Sequence, residues 1–431
     1  MSVDYDTVIV GGGIAGLYAA LKILRSPTSK PHRLLLIEAS SRLGGRIQTF
    51  YREGGLLSVI DAATHPPPGA PPPIGLAIRA ASGILTQGIP LEAGAGRFTS
   101  KHKLLLDLIH HYDLPKYAIT NEKNYSQTNK TNEPEPVIPF DKYHIPRPPA
   151  SLNATFKEYC IQIIGPEATA TLRASDGYNA EFDLMNAADA WRMFNAYFTS
   201  NTQFYVLPDG LSTLIHKMAD EVRTLGGTIL LKTKCQTFER GRPISIKLTD
   251  GRQDQIIQTK RLILALPQAA LLALPTLEPI YPLLNTVAPV SLNRLYVKWR
   301  RHEWMNDIIK TTTDNHVRQF IPALNGIAQI YADTTDADYW KDNALKHTIK
   351  THLREVFPGK PITLPEWVAP CYWKAGVHVW RPGTKSASLS KRIARPFGSN
   401  APIYIVGEAY ARNQGWVESA LETVEAAKLW P

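Results

Sequence analysis

The stretch Thr7-Val-Ile-Val10-Gly-Gly-Gly13-Ile-Ala-Gly16-Leu-Tyr-Ala-Ala-Leu-Lys-Ile-Leu24 decides how the rest of the chain is read. Thr7 to Val10 is β-branched and apolar, the composition of a buried strand. Three glycines follow as Gly11-x-Gly13-x-x-Gly16, and Leu17 to Leu24 contains no helix breaker. Pro27 to Pro31 closes that helix, Arg33-Leu-Leu-Leu-Ile37 reads as a second buried strand, and Glu38 ends it. Strand, glycine turn, helix and strand in that order predict a βαβ unit and an α/β fold. Gly11 permits the tight turn, Gly13 admits a pyrophosphate to the backbone, and Gly16 allows helix and sheet to pack closely. The helix start at Ile14 and Ala15 then offers N–H groups and a positive dipole to the phosphates. A carboxylate at Glu38 can accept both ribose hydroxyls of an adenosine and disfavours a 2′-phosphate, so NADP is the less suitable dinucleotide.

Working outward, the 431 residues carry 44% apolar and 20% charged side chains, too apolar for disorder and long enough for two or three domains. The most apolar run, Leu262 to Leu274, is interrupted by Pro267 and falls short of the ~20 residues a membrane helix requires, so no membrane anchor is expected. Met1 to Asp6 is polar and acidic, without the pattern of a secretory signal. Cys160, Cys235 and Cys371 have no Cys-x-x-Cys spacing, which argues against a disulfide framework and a thiolate metal site and favours a cytoplasmic, reducing compartment. The net charge of +10 is spread without long basic runs, so nucleic acid is not an expected partner.

Between Ser58 and Pro90 the segment His65-Pro-Pro-Pro-Gly-Ala-Pro-Pro-Pro73 predicts a stiff surface excursion. Asn121 to Pro149 reads as an exposed loop with sequons at Asn124 and Asn129. Leu214, Met218 and Val222 mark one face of a helix that ends at Gly226-Gly227. Strands are expected over Thr228 to Cys235, Ile244 to Leu248 and Arg261 to Leu266, with a hairpin turn at Asp250-Gly251. Arg318 to Tyr331 is expected to add sheet to a second domain, and Ile403 to Val406 to form a buried strand before a closing helix from Trp416 to Lys428.

Directly after Glu38 comes Ala39-Ser-Ser-Arg42-Leu-Gly44-Gly45-Arg46, a paired glycine framed by arginines. Arg46 can place a guanidinium on a pyrophosphate or near a flavin ring. With this motif the chain resembles the paired-glycine FAD flavoproteins, the flavin-containing amine oxidase superfamily, and among them the L-amino acid oxidases most closely. Leu91-Glu-Ala-Gly94-Ala95-Gly96-Arg97-Phe98 resembles the segment passing beside the flavin, and Cys235 matches the position whose backbone contacts adenine. Leu264-Ala-Leu-Pro267 resembles the strand that returns to the cofactor. Gly407-Glu408 and Gln414-Gly415-Trp416-Val417-Glu418 resemble the two closing signatures at the ribityl-pyrophosphate and the flavin pyrimidine.

The resemblance implies a bound FAD, non-covalently held, and a small-molecule amino acid or amine substrate with O₂ as oxidant; the oligomeric state is open, a homodimer included. Arg97 matches the arginine that clamps the substrate carboxylate in L-amino acid oxidases, the alternative being a structural arginine paired with an acid such as Glu92. Trp416 matches an aromatic wall facing the flavin, beside Gly415. In Cys371-Tyr-Trp373-Lys-Ala-Gly376-Val-His-Val-Trp380 the second wall position falls near Gly376, leaving room for a carboxylate or large side chain unless Trp373 or Trp380 supplies it. Where many members keep a lysine upstream of a Phe-Trp pair, this chain has Arg294 before Glu303-Trp304, which puts oxygen reactivity in question. Arg97, Arg294 and Trp416 are therefore the candidate catalytic residues; Glu181 and Asp183 could line the cavity and select a cationic side chain, the commoner role for such residues being that of solvated or capping carboxylates. The fold implied is a Rossmann-type FAD domain (1–100, 207–275 and 394–431) with an inserted α+β substrate domain (101–206 and 276–393). The function implied is an L-amino acid oxidase, against a monoamine or polyamine oxidase or a flavin-containing interaction protein.

Overall fold

A computed structural model describes residues 3–27, 32–53, 56–59, 90–120, 122–128 and 134–429. The proline-rich run His65 to Pro73 and the sequon at Asn129 lie outside these residues. The chain is mixed α/β with several sheets and divides into two compact units, the first formed by Met1–Ala118, Tyr205–Val287 and Ser386–Pro431, the second by Ile119–Phe204 and Ala288–Lys385.

In chain order the first unit contains β1 (Tyr5–Val10), α1 (Ile14–Leu24), β2 (Leu34–Ile37), α2 (Lys103–His111), α3 (Ser212–Thr224), β3 (Thr228–Leu230), β4 (Lys234–Glu239), β5 (Ile244–Thr249), β6 (Asp254–Leu264), β7 (Ile403–Ile405) and α4 (Val417–Ala427). Strands β3, β2, β1, β6 and β7 lie side by side and parallel. The all-apolar runs at the centre of β1 and β2 follow from this, because helices cover both faces of a parallel sheet. The β4–β5 hairpin pairs antiparallel with the first half of β6, while the second half of β6 pairs with β1 and β7. Its turn is the expected Asp250-Gly251, with the Asp250 carboxylate accepting the N–H groups of Arg252 and Gln253. α1 is apolar on nearly every side and is buried almost throughout, packed against α3 and α4.

Three local expectations differ from the structure. Thr228 to Cys235 is two strands rather than one, because Lys232 takes a left-handed conformation (φ +53°) and turns the chain between β3 and β4. The turn is fastened to the end of β2, since Lys232 and Thr233 donate their N–H groups to the carbonyls of Ser40 and Glu38. Asn121 to Pro149 is not all loop: Asn124–Ser126 and Glu135–Pro136 extend the second unit's sheet. Finally, α2 belongs to the first unit, beyond the junction expected near residue 100.

The second unit is built on a seven-stranded, mostly antiparallel sheet in the order Trp367–Trp380, Val287–Lys298, Ile327–Asp333, Gln319–Pro322, Thr311–Thr313, Asn124–Ser126 and Glu135–Pro136. The expected sheet between Arg318 and Tyr331 is the Gln319–Pro322 and Ile327–Asp333 pair. Asp333 accepts N–H groups from Asn179 and Ala180 at 3.0 and 2.9 Å, and the guanidinium of Arg318, 2% exposed, donates to the carbonyls of Thr313 and Arg173. Asp183 is already neutralised by Arg173 (2.5 Å) and Lys157 (3.6 Å), so it presents no unmatched charge to a cationic side chain. The Glu181 carboxyl is buried, and burial together with the charge on Asp333 raises its affinity for a proton well above the ordinary carboxyl range.

A carboxyl whose pKa is raised by folding stabilises the native state while protonated, and that contribution is lost as pH rises from the unfolded value of about 4.3 through the folded one. Glu181→Gln removes the ionisation at little change in shape. Its melting temperature is expected to exceed that of the wild type by several degrees at about pH 8, with the gap closing toward about pH 4. A pH-independent difference in thermal denaturation would contradict the assignment.

Candidate cofactor and active site

The glycine turn after β1 separates into two kinds of position. A Cβ at Gly16 would sit 2.0 Å from the carbonyl oxygen of Gly11, and one at Gly11 would sit 2.3 Å from that of Ala265, so these two glycines exist for backbone packing. Gly11 also has φ +110°, which side chains rarely adopt. Gly13, by contrast, has no heavy atom within 4 Å of its Cβ position. It is the N-cap of α1, with no side chain bonded to the helix start and no acid in the first turn. No side chain or first-turn acid therefore offsets the dipole at the start of α1, a helix end of the kind that suits an anion.

Glu38 lies beside this turn. Its carboxylate accepts the N–H groups of Gly12 and Ser40, each at 2.8 Å, which holds it at the end of β2, half-buried beside the exposed Ala39. Thr233, bonded to the Glu38 carbonyl, brings Cys235 to the same end of the sheet as the first buried residue of β4. Burial pushes the Cys235 thiol up to about 12, so its sulfur is chemically quiet.

The paired-glycine segment closes over the turn: the Gly44 N–H donates to the Gly12 carbonyl at 2.9 Å, and Gly45 lies against Gly13. Arg42 turns its guanidinium onto the carbonyls of Leu43 (3.1 Å) and Gly45 (2.7 Å), so it shapes the loop from within. Arg46 pairs with Glu408 at 2.7 Å, and the other oxygen of Glu408 accepts the Gly415 N–H at 3.1 Å. One buried carboxylate thus ties the segment after β2 to the residue before Trp416. A Cβ at Gly415 would meet nothing within 4 Å, and one at Gly407 only the Leu266 carbonyl at 4.0 Å, so both line space as Gly13 does.

Gly94-Ala95-Gly96-Arg97 runs alongside the same loop, with the Ala93 and Ala95 N–H groups donating to the carbonyls of Gln48 and Arg46. Glu92, the acid nearest Arg97 in sequence, spends one oxygen on the Leu211 N–H (2.6 Å) and the other on the Thr49 hydroxyl (2.9 Å). Arg97 is half-buried. Trp416, also half-buried, is the N-cap of α4, and Val417 is its first helical residue. Glu418 in the first turn of α4 turns away to accept the N–H groups of Leu104 and Leu105 at the start of α2, both at 2.9 Å. Sequence reasoning missed His102, wholly buried at the N-cap of α2 with its ring against Trp416; the Lys101-His-Lys103 context reads as surface.

In the second unit, Arg294 stacks on Tyr331 (5.0 Å), its register partner on the neighbouring strand. Trp373 is half-buried on the Trp367–Trp380 strand, and a Cβ at Gly376 would strike the Leu292 side chain at 2.6 Å. Leu292 therefore occupies the space that a larger residue at 376 would need. The three cysteines are thiols, and among the described residues no cluster of His, Cys, Asp and Glu is arranged to hold a metal, nor is any helix long and apolar enough to cross a membrane.

A sequence profile of flavin-containing amine oxidoreductases matches residues 14–159 and 155–427, and the chain belongs to this family, whose cofactor is FAD. Among curated relatives it is 23% identical to an uncharacterized protein of Acanthamoeba polyphaga mimivirus, over 98% of this chain and 92% of the relative. It is 23% identical to the L-amino-acid oxidase of Mus musculus over 96% of this chain and 69% of the relative. A shorter match, 45% identical over 53 residues, is to the pseudooxynicotine dehydrogenase of Pseudomonas sp.

The two classes of glycine predict opposite phenotypes. Gly13→Ala is expected to leave the apo protein's melting temperature within about 1 °C of wild type while weakening FAD binding by at least about tenfold, because the added methyl enters open cofactor space. Gly16→Ala should lower the apo melting temperature itself, since α1 must move off the Gly11 carbonyl. Calorimetric melts and FAD titrations of both variants check this.

Proposed function

We propose that the chain is an FAD-dependent oxidase of L-amino acids, in which FAD supplies the two-electron acceptor for the α-carbon hydride and passes the electrons to O₂, giving a 2-oxo acid, ammonia and hydrogen peroxide. The observation that carries this reading is the placement of the Arg97 segment, which is hydrogen-bonded along the paired-glycine loop through the Ala93 and Ala95 N–H groups. An arginine there, presented to a small ligand, is suited to a carboxylate, which it grips through two parallel N–H···O bonds. The similarity to an L-amino-acid oxidase supports the same substrate class.

In this reading the first unit is a Rossmann-type FAD domain. Gly11 and Gly16 build its turn, Gly13 and the N–H groups at Ile14 and Ala15 hold the pyrophosphate, and Glu38 holds the adenosine ribose. Arg46, oriented by its ion pair with Glu408, is proposed to donate N–H groups to the pyrophosphate. The start of α4 at Trp416 and Val417 carries no N-cap side-chain bond, and its dipole, partly met by Glu418 in the first turn, is proposed to favour negative charge placed before it. The residues' remaining work is orientation: Arg97 fixes the carboxylate, Trp416 limits the substrate from one side, and the α-carbon is left in one pose. The amine must lose its ammonium proton before reaction, and its lone pair then drives hydride departure without a dedicated protein base. The second unit is proposed to be the substrate domain; within it Trp373 and Gly376 lie on one strand and Leu292 fills the space over Gly376.

A second reading concerns the electron acceptor. Arg294, held flat on Tyr331, stands where many family members have lysine, and an arginine does not readily give up a proton. That observation favours a dehydrogenase that passes electrons to an acceptor other than O₂. Comparing turnover with O₂ against an artificial dye acceptor, in wild type and Arg294→Lys, separates the two; faster O₂ turnover in the lysine variant supports the dehydrogenase reading.

Removing the clamp tests the substrate class. Arg97→Ala is expected to lower kcat/KM for L-amino acids by roughly a hundredfold, the loss of charge-assisted hydrogen bonds to the carboxylate. Turnover of the corresponding decarboxylated amine should be nearly unchanged, and Arg97→Lys should fall between. Equal losses for acid and amine in a peroxide-coupled assay would remove Arg97 from carboxylate recognition.

A further inference from the structure

We propose that His102 is a positioning residue for Trp416: a buried imidazole whose contact with the indole sets the angle at which that ring is presented to the flavin. The inference rests on the reading of Trp416 as a flavin wall. His102 is fully buried at the N-cap of α2, and its ring meets the Trp416 indole edge-on, centroids 4.8 Å apart and planes at 62°. This is the offset geometry that aromatic rings prefer, with the edge of one directed at the face of the other.

The imidazole is itself held. Its Nδ1 accepts the Thr99 N–H at 3.2 Å, which assigns the proton to Nε2 and fixes the ring about its bond to the backbone. Burial pushes its ionisation down to about 3, so the ring is neutral at physiological pH and is a poor base. Its neighbours α2 and α4 are joined by Glu418, whose carboxylate receives the Leu104 and Leu105 N–H groups. On the other side of Trp416, the Gly415 N–H is fastened to Glu408. The indole is thus anchored through its backbone by Glu408 and braced at its ring by His102.

The chain from clamp to wall is short. Arg97 is followed by Phe98, 0% exposed, then by Thr99, which is bonded to His102, which touches Trp416. A shift of the Arg97 segment would be transmitted to the wall through this one ring, since close-packed interiors pass displacement on rather than absorb it. Histidine suits the place because it joins two properties. Asparagine has the acceptor that Thr99 requires and no ring; phenylalanine has the ring and no acceptor.

That difference supplies the test, read from the fluorescence lifetime of bound FAD, which a nearby indole shortens by electron transfer. Trp416→Phe, loaded with FAD, gives the lifetime without the wall. His102→Asn, and His102→Gln as a second ring-less variant should the first not fold, are expected to lengthen the lifetime at least halfway toward that reference. His102→Phe should stay near the wild type. Melts of the apo proteins establish that each variant is folded. A ring-less variant with the wild-type lifetime, while Trp416→Phe is lengthened, overturns the proposal and leaves the wall reading intact. A lengthened His102→Phe equal to His102→Asn also overturns it, because ring shape would then not matter. Trp416→Phe with an unchanged lifetime removes Trp416 from the flavin, and both readings fall.

Discussion

The backbone contact between α1 and the end of β1 is the constraint on which the first unit depends. Gly16 comes so near the Gly11 carbonyl that no Cβ fits between them, and Gly11 is equally close to Ala265 at the end of β6. Helix, first strand and returning strand are drawn to a single point. That closeness brings the start of α1 to the sheet end beside Gly13. Two glycines are used to pack and one leaves room.

Around that point the unit is assembled from three stretches of chain, and carboxylates do much of the joining. Glu38 holds the Gly12 turn, Glu92 joins the Thr49 strand to the start of α3, Glu408 joins Arg46 to Gly415, and Glu418 joins α4 to α2. Each accepts backbone N–H groups or a paired cation, so the charge is retained through bonds stronger than those between neutral groups. Three of the four end within a few residues of Gly94 to Arg97 or Trp416. The same groups that hold the discontinuous unit together therefore also hold the candidate substrate residues, and stability and geometry at the site are coupled.

The sequence was most legible where a requirement is local. The Gly11, Gly13 and Gly16 spacing, Glu38 at the strand end, the Asp250-Gly251 turn and the Leu214, Met218 and Val222 face all depend on neighbours in the chain, and each is found as read. It was least legible where a partner is distant. Nothing near Glu92 or Glu418 announces that each caps a helix more than a hundred residues away. Arg42 frames the paired glycines with Arg46, and nothing in the motif announces that its guanidinium binds its own loop's carbonyls. The break at Lys232 was hidden because a lysine gives no sign of a left-handed backbone that tertiary bonds to Ser40 and Glu38 impose. His102 between two lysines looks solvated, and only the return of Trp416 from the far end of the chain buries it.

In the proposed reaction a carbon bearing both an amine and a carboxylate is oriented for hydride loss beside the glycine cradle. Anaerobic stopped-flow mixing of the FAD-loaded protein with single L-amino acids and with their decarboxylated amines tests it most directly. The expected result is rapid bleaching of the oxidised flavin absorbance by at least one L-amino acid and much slower bleaching by its amine. Equal or faster bleaching by the amine, or a spectrum that stays oxidised with every compound, would contradict the claim.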